Sequence, residues 1–181
     1  MKITLEFLNK IYACPEDITF VKENKLIGLE VVDFIEKLIE LDKLQLASWL
    51  TARALSKVDR VRYAVFAAEQ VLHIFEEKYL GDDRPRKAIE AARFYINNPS
   101  VTASRAVAAA ARDAYDAYAY AAASVAYAPS RVAAAAHAAY DAAHVADAAH
   151  AAYDAYATYD VADDKMFKKI IKNGIKLLKE V

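Results

Sequence analysis

Between Val101 and Asp160, alanine fills close to half of the positions, and tyrosine, aspartate, histidine and a few arginines fill much of the rest. Alanine is the strongest helix former, and alanine faces let neighbouring helices approach more closely than leucine faces would. Bulky tyrosines then fill or gate the gaps between them. The whole chain holds 3 Gly and 4 Pro, which leaves little room for turns. The expectation is an all-α protein, a compact multi-helix bundle with two long Ala/Tyr-rich helices and a basic amphipathic helix at the C-terminal end. At 181 residues it suits a single domain with a real core.

Read in order, residues 1–80 carry Leu/Ile/Val-rich helices. Ile3 to Tyr12 has helix-compatible apolar spacing, and Pro15 with Glu16 and Asp17 is read as its end. Gly28 to Leu41 predicts an amphipathic helix with Leu29, Val32, Ile35, Leu38 and Ile39 inward. Asp42 is the expected N-cap of the next helix, where Trp49 should anchor the core. A longer helix is predicted from Asp59 to Tyr79, with Val61, Val65, Ala68, Leu72 and Phe75 along one side. Residues 81–100 hold a DDRPR turn, a helix opening at Pro85 with Arg84 as boundary, and the link Asn98-Pro99-Ser100. Residues 101–160 supply two long helices broken at Pro129-Ser130, and a basic helix runs from Asp163 to Glu180.

The octapeptide AAHAAYDA occurs at Ala135 to Ala142 and again at Ala148 to Ala155, thirteen residues on. At roughly 100° per residue the second copy is turned about 140° from the first. The two copies therefore face different neighbours, as on a helix contacted from several sides; low-complexity duplication also accounts for them.

Lys plus Arg (24) nearly cancels Asp plus Glu (25), which argues against a general nucleic-acid binder. The one cysteine, Cys14, cannot form an internal disulfide and is expected to be a buried or partly buried structural thiol in a reducing compartment. Glu6 lies where a secretory signal needs an apolar core, and charged residues or histidines interrupt the alanine-rich half before a membrane span accumulates. The expected location is cytoplasmic, with no membrane partner.

Three constellations could carry chemistry. His137, Tyr140, Asp141 and His144 share one helical face, and the imidazoles and carboxylate are competent metal ligands. No HExxH or paired Glu-x-x-His motif supports them, and a hydrogen-bonded network between helices explains them as well. No cofactor is expected. The tyrosines, among them Tyr115, Tyr118, Tyr140 and Tyr153, are either core filling or a stacking wall for a flat ligand such as a nucleobase.

Arg84 and Arg86 stand where cations oppose a helix dipole, so they need carboxylate partners or a bound anion. Asp82, Asp83, Glu69, Glu76 and Glu77 could pair with them. The other reading is a phosphate site at the helix start, extended by Arg93, Arg105, Arg112 and Arg131 if the fold gathers them, with Tyr115, Tyr118, Tyr140, His144 and Tyr153 completing a ligand site. No Gly-rich phosphate loop or nucleophile elbow is present. His73 near Glu69 and Glu76 reads as a base or as a core histidine.

The run AAEQVLHIFEEKYLGDDRPRKAIEAAR (Ala67 to Arg93) resembles the signature of the helical immunity proteins of bacterial toxin systems, the immunity-five-like group. AAHVADAAHAAY (Ala142 to Tyr153) is similar to that group's second, Ala-rich block, and Trp49 lies where an upstream aromatic is expected. The resemblance implies a small all-helical cytosolic protein that neutralises something by binding it, and it carries over no catalytic residue.

Taken with the Arg84–Arg86 pair and the tyrosines, it predicts a non-enzymatic immunity or anti-defence protein of bacterial or phage origin that sequesters a nucleotide-derived signal. The alternatives are an immunity protein that inhibits a protein toxin and a metal-dependent phosphoesterase built on His137, Asp141 and His144. A homodimer is expected, because alanine-rich helices drive a core weakly by themselves.

Overall fold

The computed structural model describes residues 1–123 and 164–180. Among them are eight helices: α1 (Leu5–Lys10), α2 (Pro15–Glu23), α3 (Val31–Glu40), α4 (Leu44–Ala54), α5 (Lys57–Lys78), α6 (Arg84–Asn97), α7 (Val101–Ala123) and α8 (Asp164–Lys179). The remaining backbone pairing described is an isolated antiparallel bridge, Lys2 to Glu30, beside which the Ile3 amide donates to the Leu29 carbonyl at 2.9 Å. The all-α expectation holds. The octapeptide repeat, Pro129-Ser130 and Arg131 lie outside the described residues.

Helix α5 divides the core. Val61, Val65, Ala68, Leu72 and Phe75, the predicted stripe, are all buried and pack with α6 and α7. Tyr63 and Ala67 turn to the other side, where α1 to α4 and α8 supply Leu8, Phe34, Ile35, Leu50, Phe167 and Ile171. Helix α7 lies on α6 through Ala103, Val107, Ala111, Ala114 and Ala117, small side chains that permit a close approach. Helix α8 closes the second cluster over α3, α4 and α5, with Phe167, Ile170, Ile171 and Ile175 buried and its lysines at the surface.

Gly174 lies on the buried face of α8. A Cβ there would collide with Thr51 Cγ2 and approach the Tyr63 ring to 2.9 Å. The absent side chain lets three helices meet. Tyr63 is fully buried, and its hydroxyl bonds Ser48 Oγ at 2.8 Å. Burial pushes its ionisation well above the ordinary tyrosine range, so this pair is neutral at any working pH.

Three short helices stop without glycine. Tyr12, Lys25 and Asp42 have φ of 59°, 55° and 56°, and each follows the last turn of α1, α2 or α3. In each case the next amide reaches back five residues: Ala13 to Leu8, Leu26 to Val21 and Lys43 to Leu38, at 2.8–3.0 Å. These are Schellman closures, in which a left-handed residue satisfies carbonyls that the helix end leaves open. Their occurrence on non-glycine residues is how so few glycines suffice.

Several expectations are corrected. Asp42 terminates α3 rather than capping α4, whose N-cap is Lys43. Pro15 opens α2 instead of ending α1, since proline's fixed φ suits a first helical turn. Helix α3 begins at Val31 rather than Gly28, and α6 at Arg84 rather than Pro85, with Asp83 as its cap. Trp49 is half-buried with the Arg53 guanidinium 5.7 Å from its ring centre, and Leu50 takes the central place in the core. Cys14 is exposed. Its thiol donates to Asp17 Oδ2 at 3.0 Å, a bond that raises the thiol pKa and keeps it protonated.

Candidate functional site

Helices α5 and α6 run antiparallel, joined by the turn at 79–83. Glu69 and Glu76 are seven residues apart on α5, as are Arg86 and Arg93 on α6, so each pair lies two turns apart along one face. Antiparallel packing then sets Glu76 against Arg86 and Glu69 against Arg93. Arg86 is bidentate on Glu76, with Nε and Nη2 donating at 2.7 and 2.6 Å. Arg93 Nε donates to Glu69 Oε1 at 2.7 Å. At the turn, Arg84 grips Asp82 through Nε at 2.9 Å and Nη2 at 2.6 Å, and its amide also donates to Asp82 Oδ1.

The electrostatics follow from these contacts. The Arg84 guanidinium holds the Asp82 carboxyl below the usual carboxylate range. Asp82 in turn raises the Arg84 pKa, helped by Asp116 and Asp113 on α7. Glu76 does the same for Arg86. Lys87 pairs with Asp83 at 2.9 Å. Every cation in the first turn of α6 therefore has a carboxylate, which offsets the repulsion by the helix dipole. A phosphate arriving here would have to displace bidentate partners.

The predicted ligand set is not gathered. Arg84, Arg86 and Arg93 lie along the α5–α6 seam. Arg105 and Arg112 are exposed on α7, seven residues apart and about half a turn around the helix from the alanine stripe that meets α6. They point away from the seam. Tyr115 and Tyr118 belong to α7, but their side chains lie outside the described residues, as do Tyr140, His144, Tyr153, His137 and Asp141. Among the described residues, no group of three His, Cys, Asp or Glu side chains is placed to hold a metal ion, and no helix is long and apolar enough to cross a membrane. His73 is exposed rather than a core histidine.

The feature that the sequence reading passed over is Phe94. It sits opposite the buried stripe of α6, formed by Ala88, Ile89, Ala92 and Tyr95, and is 58% exposed. Glu90 and Lys87 lie on the same outer face, both exposed, and Arg93 stands at its edge toward α5, where it bonds Glu69. Beside this face runs a shallow groove of about 320 Å³ between α5, α6 and α8, with Phe66, Ile96 and Leu177 as apolar lining and Arg62, Arg93 and Asn97 among its polar residues. The signal was present in the sequence: an aromatic residue half a turn out of phase with an apolar stripe is a candidate contact residue.

Fold and surface together define an all-helical protein whose candidate site is a paired-charge helix face around an exposed aromatic, a surface suited to contact with another molecule. The chain belongs to the family described as Imm-5 like putative immunity protein, whose profile matches residues 38–180. The match takes in the Ala67–Arg93 run that carried the resemblance and extends beyond it at both ends. No curated protein and no solved structure matches the chain significantly.

Proposed function

We propose that this chain is an immunity protein that binds and blocks a protein toxin, and that the outer face of α6, with Phe94 as its apolar anchor, is the contact surface. The family membership carries the first half of this reading. The second half is supported by the state of the arginines. Arg84, Arg86 and Arg93 are committed to Asp82, Glu76 and Glu69, which favours the ion-pair reading over the nucleotide site that the sequence also suggested. An exposed aromatic with polar neighbours can serve as the anchor of a binding hot spot, with the surrounding contacts excluding water from it.

The test uses the full chain, tagged and recovered from cells that make it. A protein partner should co-purify, and growth inhibition by that partner should be relieved when the chain is co-produced. Phe94→Ala should weaken capture by about 30-fold or more, the loss expected when an aromatic hot spot is truncated. Helicity and urea midpoint should stay the same, since Phe94 contributes little to the core. Undiminished capture by Phe94→Ala would remove this face from consideration. Native mass spectrometry with mono-, di- and cyclic nucleotides separates the sequestration reading. A retained nucleotide that Arg84→Ala or Arg86→Ala releases would restore it.

A further inference from the structure

A second surface lies away from α6. Helices α3 and α8 leave between them an open groove of about 570 Å³. Its floor is apolar, from Ile39 and Ile175. Its two banks differ in sign. Glu36 and Glu40, one turn apart on α3, form an acidic bank, while Lys172, Lys176 and Lys179 on α8 form a basic one.

These charges are poorly spent inside the molecule. The contact across the groove is a long one, Lys179 Nζ to Glu36 Oε1 at 3.5 Å. Lys176 reaches its helix neighbour Glu180 at 3.9 Å, and Glu40 is held by Lys37 on its own helix. Lys172 has no ion pair among the described residues. Both banks are largely exposed, with Glu36 at 50% and Lys176 at 75%.

A groove with one acidic and one basic bank is complementary to itself. A two-fold axis running along it sets α3 of each copy against α8 of the other, so that each acidic bank meets a basic bank twice over. An axis across the groove would oppose like charges. We propose that this groove is a self-contact through which two copies of the chain pair about such an axis.

The size of the face sets the strength. Helix α8 has 16 residues and spans about 24 Å, and α3 lies roughly one helix diameter beside it. The shared footprint is limited by the 10 residues of α3, about 15 Å, so the contact is small and the pairing weak and transient, its specificity resting on the matched charges. The contact draws on none of the α6 face and stands or falls apart from the toxin reading.

Sedimentation velocity of the full chain from about 1 to 500 µM provides the test. A concentration-dependent dimer is expected, weakened about tenfold on going from low to high salt because its ion pairs are exposed. The double variant Glu36→Lys/Glu40→Lys should be monomeric, and so should Lys172→Glu/Lys176→Glu. Mixed in equal amounts, the two should form a heterodimer, because a mainly basic face then meets a mainly acidic one. A wild-type chain that stays monomeric at every concentration overturns the proposal. So does a dimer that survives either charge reversal, or a mixture that fails to pair.

Discussion

Replacing Gly174 with alanine should destabilise this protein, the reverse of what the substitution does on a solvent-facing helix. In a free helix, Gly→Ala gains about 1 kcal/mol, because alanine loses less backbone entropy. Here the new methyl would strike Thr51 Cγ2 and lie 2.9–3.0 Å from two carbons of the Tyr63 ring. Neither neighbour can retreat at little cost. Thr51 is anchored through its hydroxyl to the Ala47 carbonyl at 2.7 Å, and Tyr63 to Ser48 at 2.8 Å. Overpacking of a tight core costs about 1–3 kcal/mol, and disturbing the buried Tyr63–Ser48 bond adds about 1 kcal/mol. After the propensity gain is subtracted, a net loss of about 2 kcal/mol remains. Urea unfolding followed by circular dichroism at 222 nm measures it, with a fall in thermal midpoint of about 4–8 °C in parallel. Asn173→Ala, one residue away and only partly buried, is the control and should be neutral or slightly stabilising. A Gly174→Ala protein as stable as the parent, or more so, would refute the close three-helix crossing.

The Ser48–Tyr63 bond predicts a coupled double-mutant cycle. Either Tyr63→Phe or Ser48→Ala alone should cost about 1–2 kcal/mol, and the two together less than their sum, because each single change strands a buried hydroxyl; strict additivity would show that the groups do not bond. The Asp82–Arg84 pair predicts a pH dependence with a defined sign. The folded-state pKa of Asp82 is depressed, so its contribution is present above the unfolded value of about 3.9 and is lost as pH falls through the folded value. Arg84→Gln should therefore cost up to about 1 kcal/mol at pH 7, with both side chains partly solvated, and less near pH 2 as Asp82 takes up its proton; an equal cost at both pH values would rule out the carboxylate as the cause.

Long apolar periodicity was legible because burial on one face is a property of the stripe itself. The α5 stripe from Val61 to Phe75 and the α8 stripe from Phe167 to Ile175 are where their spacing puts them. Helix ends were legible only where one residue type has one meaning. Ser100, the last residue of the predicted link, caps α7 by accepting from the Ala103 amide at 3.1 Å. Pro15 was misread because proline both stops one helix and opens the next. Asp42 was misread because aspartate favours N-caps, while here the chain needs a left-handed residue to close α3. Gly174 carries no signal in the local pattern of its helix, because its reason lies in Thr51 and Tyr63, more than a hundred residues away in sequence.

The candidate surface was half legible for the same kind of reason. The sequence supplies carboxylates for Arg84 and Arg86, but the pairing depends on the direction in which α6 runs along α5. Once that is antiparallel, the seven-residue spacings of Glu69 with Glu76 and Arg86 with Arg93 leave one register in which both pairs close. The register also decides what a partner meets. A seam of matched pairs projects little long-range field, and the whole chain carries a formal charge of only −1. On the proposed reading, recognition across α6 then acts at short range, through the shape of the Phe94 face and the groove beside it. The paired arginines serve it by fixing the position of α6 on α5, and with it the direction in which Phe94 points.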